Sequence, residues 1–111
     1  MTSIKIKIRS DSLELPLDLF KVATPAPGQS FGIGPGIEVV HEHHVVRQGL
    51  IESGIIIDLL LKVASGVTAK LVSDWIVGAL KGRKATVRIG DKEVDAHDKA
   101  SVTSALDDAL K

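Results

Sequence analysis

Three of the chain's four histidines, His41, His43 and His44, fall within the run IEVVHEHHVVRQ (37–48). Neutral imidazole ligates zinc and iron and moves protons near neutral pH. The run is β-branched and is predicted to be a strand. On a strand His41 and His43 share one face and Glu42 and His44 the other; on a helix His41 and His44 would lie together. A catalytic metal site needs three convergent ligands, and His97, the remaining histidine, is far along the chain. His41, His43 and His44 are therefore the metal candidates on which a metal-dependent enzyme would rest, with a solvated strand as the plainer account.

A second set of residues carries charge in register. Lys5, Lys7 and Arg9 alternate with Ile4, Ile6 and Ile8, the period-2 pattern of a strand with one wet face. Arg88, in the predicted strand ATVRI (85–89), would project beside them if the two strands pair. With Lys81, Arg83 and Lys84 these residues form a candidate basic patch of the kind that tracks phosphates without reading bases. The GIGPG run (32–36) is a poorer anion signal. It lacks the Lys-Ser/Thr of a phosphate loop, and Pro35 removes one of the amides such a cradle would use. No nucleophile motif, HExxH or spaced carboxylate pair is present, and no cofactor is implied.

The 111 residues, 44% hydrophobic and 25% charged, suit one domain spanning 1–111. Fourteen basic and fourteen acidic residues balance to zero net charge, so contact with nucleic acid or anionic lipid must come from a local patch. The absence of cysteine excludes disulfides and thiolate chemistry. The start MTSIKIKIRS has no apolar signal region, and Asp58, Lys62, Lys70 and Asp74 would interrupt any membrane span across the apolar middle. A soluble, cytoplasmic protein with no membrane span is expected.

The elements that must position these residues are predicted as α+β. A hairpin is expected from β-strand 4–9 and a second strand over the alternating leucines 13–19, followed by a Pro/Gly-rich loop at 23–36 with no regular element. Leu50 to Leu80 is predicted to be one long central helix with a thin polar stripe of Asp58, Lys62, Lys70 and Asp74. Thirty-one helical residues would reach roughly 46 Å, so a kink is placed at Ala64-Ser65-Gly66. A second hairpin follows (85–96), and then a short helix (98–110) capped by Asp98. The apolar circumference of the central helix exceeds what one contact covers. Ile55, Leu59, Leu71, Trp75 and Ile76 are accordingly the expected partner-binding residues, with Trp75 substantially buried.

The stretch ASGVTAKLVSDWIVGALKGRKATVRIGDKEVDA, Ala64 to Ala96, resembles the effector-associated constant component family, small bacterial proteins encoded beside effector genes in conflict systems. The resemblance covers about a third of the chain and implies an adaptor rather than an enzyme. It carries over no catalytic residue. Three functional classes follow in order: a protein-binding or self-associating module acting through 50–80, a nucleic-acid or anion binder acting through Lys5, Lys7, Arg9 and Arg88, and a metal-dependent enzyme at the histidines.

Overall fold

The alternation of Ile4, Ile6 and Ile8 with Lys5, Lys7 and Arg9 builds β1 (Thr2–Ser10), its isoleucines buried and its cations exposed. The computed structural model, which describes residues 2–48 and 53–110, sets this strand inside a sheet with sequence-distant partners on both sides. The expected hairpin partner is instead α1 (Leu15–Phe20). Pro16 sits in its first turn, where no N–H is needed, and Lys21 closes it in the left-handed conformation. Leu15 and Leu19 are one helical turn apart and both buried, whereas Leu13 and Leu17, which alternate with them, are left exposed.

The Pro/Gly-rich segment also holds a strand, β2 (Ser30–Gly34), joined to β3 (Ile37–Gln48) through Pro35-Gly36. Pro followed by a positive-φ glycine (Gly36, φ 75) is the sequence of a tight turn, and an edge strand tolerates the glycines that a central strand would not. GIGPG is thus a hairpin and does not lead into a helix N-terminus, the setting an anion cradle needs.

The largest correction concerns the central helix. Residues 53–63 form β4 (Ser53–Val63), with Ile55, Ile57, Leu59, Leu61 and Val63 buried and the residues between them half-covered. Only α2 (Ala69–Ala79) is helical, and the bend at Ala64-Ser65-Gly66, with Gly66 at φ 90, separates a strand from a helix. The physical reason is β-branching: Ile55-Ile56-Ile57 packs well on a pleated surface that is covered on one side by helices and on both edges by strands. Gly54, inside the predicted helix, lies within β4. A Cβ there would stand 2.6 Å from the backbone oxygen of Ser10. The expected helix start at Leu50 and Glu52, and Gly49, lie outside the described residues.

β5 (Ala85–Ile89) and β6 (Lys92–Asp95) form the predicted second hairpin, and α3 (Lys99–Leu110) follows. Asp98 caps α3 as expected, accepting from the Ser101 N–H at 3.1 Å and the Ser101 hydroxyl at 2.8 Å; these bonds hold its carboxyl below its ordinary pKa. The sheet is antiparallel in the order β2-β3-β4-β1-β5-β6, with the helices on one face. Val72, Ile76 and Leu80 share one buried core with Ile57, Leu59 and Leu61. The Thr103 and Ser73 hydroxyls share a hydrogen bond at 2.8 Å and Lys99 pairs with Asp74, fastening α3 to α2. No helix among the described residues is long and apolar enough to cross a membrane.

Candidate functional site

The opposite face of the sheet carries no helix among the described residues, and the strand register determines what it displays. β1 pairs with β4 on one side and β5 on the other, so Asp58, Lys7 and Arg88 form one row across the sheet. Ile56, Arg9 and Thr86 form the next, and Leu60 and Lys5 the one before. Strand alternation sends all of these side chains to the uncovered side. Lys5, Lys7, Arg9 and Arg88, drawn from opposite ends of the chain, therefore form one exposed basic cluster.

Its electrostatics are unbalanced locally. Lys7 and Arg88 are directly opposite each other, an arrangement that costs a few tenths to about 1 kcal/mol in a sheet. Lys7 is 3.8 Å from Asp58, but that carboxylate is shared with His43, whose Nδ1 is 2.9 Å from it. Glu93 stands opposite Arg88 in the β5/β6 register without closing to an ion pair. Lys5, Arg9 and Arg88 form no ion pair among the described residues. A shallow depression of about 380 Å³ lies over this cluster, lined by Lys5, Lys7, Arg88, Asp58, His43 and Glu42 among others. Beside it Val40, Leu60, Ile56 and Val45 form an apolar band over β3 and β4.

Two further cations join at the β5 end of β1. Arg47 and Lys84 line, with Arg9 and Ser53, a depression of about 500 Å³. Arg47 was not singled out in the sequence; the register that reveals it, opposite Gly54, requires 53–63 to be a strand. Two members of the predicted patch lie elsewhere. Arg83 is committed to the fold, its guanidinium pairing with Asp18 of α1 and donating to the Ser12 hydroxyl, while its carbonyl accepts from His97. Lys81 is exposed in the turn after α2.

The histidines divide between the two faces, and not as simple alternation predicts. A β-bulge falls between His41 and His43, so His41 opposes Leu59, His43 opposes Asp58 and His44 opposes Ile57. The extra residue reverses the parity: His41 and His44 share the helix-covered side and His43 joins the open face. His41 is buried, its ring edge-on to Phe20, which stacks on Phe31. Its Nδ1 bonds the Ala26 carbonyl at 3.0 Å; a carbonyl only accepts, so Nδ1 carries the proton. Its Nε2 then accepts from the His44 Nδ1–H at 2.9 Å. Desolvation, then the proximity of His41 and His43, holds the His44 pKa below its ordinary 6.5. These rings are hydrogen-bonded to each other and to the 21–29 loop, and no three His, Asp or Glu side chains are grouped to hold a metal among the described residues.

Of the expected partner-binding residues, Ile55, Leu59 and Ile76 are core, at 2%, 0% and 0% exposure. They are unable to meet a partner without unfolding. Leu71 is exposed on α2, and Trp75 is partly buried at the margin of the core. No family model, curated protein or solved structure matches the chain.

Proposed function

We propose that this chain is a non-enzymatic binding module whose open sheet face takes a phosphate-bearing polyanion. The carrying observation is the cross-strand apposition of Lys7 and Arg88, flanked by Lys5 and Arg9, on an exposed face where three of the four cations have no ion pair among the described residues. A cluster that repels itself when empty is stabilised by any ligand bringing negative charge, and phosphates release counterions in the exchange. The apolar band of Val40, Leu60, Ile56 and Val45 adds contact area beside the charges. Phe20, Phe31 and Trp75 pack with the core on the helix side, so among the described residues the open face offers no Phe or Trp ring for base stacking and only the His43 imidazole. Such a face grips backbone phosphates and is indifferent to sequence.

An adaptor role of the kind implied by the likeness of Ala64 to Ala96 to conflict-system components is compatible with this module and rests on that likeness alone. The binding reading is tested with single variants. Lys7→Ala and Arg88→Ala each weaken binding of a fluorescent oligonucleotide of mixed sequence, and Lys70→Ala, on the helix side, does not. Equal affinity in all three variants, or no binding by the wild type at low salt, would contradict it.

A further inference from the structure

β3 is paired along its inner side as far as Gln48, but β2 covers its outer side only from Ile37 to Val40. The preceding loop adds one more step, with the Gly28 N–H bonding the His41 carbonyl at 2.6 Å and the His41 N–H bonding the Gln29 carbonyl at 2.9 Å. Beyond His41 no described strand lies alongside. Because His41 turns its own N–H and C=O outward, the alternation of an antiparallel ladder, carried past the bulge, aims those of His44 and Val46 outward as well. Backbone groups on an uncovered edge are a template for another strand.

The two edges of the sheet are not equivalent. β6 is a four-residue strand, Lys-Glu-Val-Asp, and a short charged edge resists pairing. The free run of β3 has neither lysine nor proline, and it leaves Val45 and Val46 at 45% and 47% exposure on its opposite faces. One adhesive edge per molecule gives a closed pair rather than a filament. Charge selects both occupant and direction. Glu42 stands at the start of the free run and Arg47 near its end, so a second copy lying antiparallel about Val45 sets each Arg47 opposite the other's His43 and one residue from its Glu42, whereas a parallel copy would appose like charges.

We propose that two copies of this chain pair antiparallel through the β3 edge around Val45, joining their sheets into one. A two-fold axis normal to the sheet keeps both open faces on the same side, so the dimer presents two basic clusters to one polymer. The association itself is independent of any polyanion and is measured without one.

Sedimentation equilibrium of the full chain over a range of concentrations tests this directly. The wild type shows a reversible monomer–dimer equilibrium. Glu42→Arg and Arg47→Glu each raise the dissociation constant about tenfold or more, and the double swap, Glu42→Arg with Arg47→Glu, brings it back toward the wild-type value. All three variants sit at exposed positions, so circular dichroism should remain native. A wild type that stays monomeric at every concentration overturns the proposal, including a monomer that instead accepts an extended peptide. So does a dimer indifferent to both single changes.

Discussion

Leu59 and Leu71 are both leucines of the apolar middle of the chain, and the fold gives them opposite fates. Leu59 is fully buried in the core opposite Ile6, so Leu59→Ala should cost about 2–5 kcal/mol in urea unfolding. Leu71→Ala, at 53% exposure, should stay within about 0.5 kcal/mol. A second residue-scale expectation concerns His44. Its folded pKa lies below 6.5, so between those two values the unfolded chain binds more protons than the folded one. Stability is therefore complete above about pH 6.5 and falls as pH drops through that window, and His44→Gln should flatten the fall. Urea midpoints measured at a series of pH values decide this; a wild-type profile flat across the window would remove the histidine pair as its cause. His43 pairs with Asp58 on the other face, and a His43→Gln variant serves as the control for the loss of an imidazole outside the His41–His44 pair.

At the scale of elements, Gly54 is where β4 runs closest to the end of β1. A Cβ would meet the Ser10 oxygen, which is backbone and has little room to yield. Gly54→Ala should destabilise by about 1–3 kcal/mol, whereas Gly78→Ala, in α2 with open space around it, should be neutral or stabilising. Gly54 also shows why this region was hard to read. Asp58 and Lys62 are four residues apart, and four is a multiple of the strand period and close to one helical turn, so their shared face is compatible with either element. Length favours helix over 50–80, although Ile55-Ile56-Ile57 also suits a buried strand, and Ala64-Ser65-Gly66 reads as a kink when it is the boundary between two different elements. The alternating leucines of 13–19 misled in the converse direction, since Leu15 and Leu19 are also helical neighbours. By contrast β1, β3, the 85–96 hairpin and the Asp98 cap were legible, because each has a pattern that only one element satisfies. The basic cluster was half legible: its members are evident in β1 and β5, but their adjacency depends on a pairing that no local pattern encodes. The bulge at Glu42 left no mark in composition, and it alone brings His41 and His44 together.

At the scale of the whole molecule, helices cover one face of an antiparallel sheet and leave a basic seam along β1 and β5 exposed on the other. Net charge is zero, so binding must draw on this seam and not on a general field. That gives a quantitative signature. Four cations displacing counterions from phosphates predict that log K falls with log salt at a slope of roughly −3 to −4, and each cation removed lowers the slope by about 1. The most direct measurement is the affinity of the wild type and of Lys7→Glu/Arg88→Glu for one oligonucleotide across a salt series. The wild type should bind at low salt with that slope, and the double variant should lose binding while staying folded with a somewhat lower urea midpoint, since the two glutamates then face each other in one row with Asp58 and Glu93. Binding that is insensitive to salt, or that survives the double charge reversal, would contradict the assignment of the open sheet face as the site.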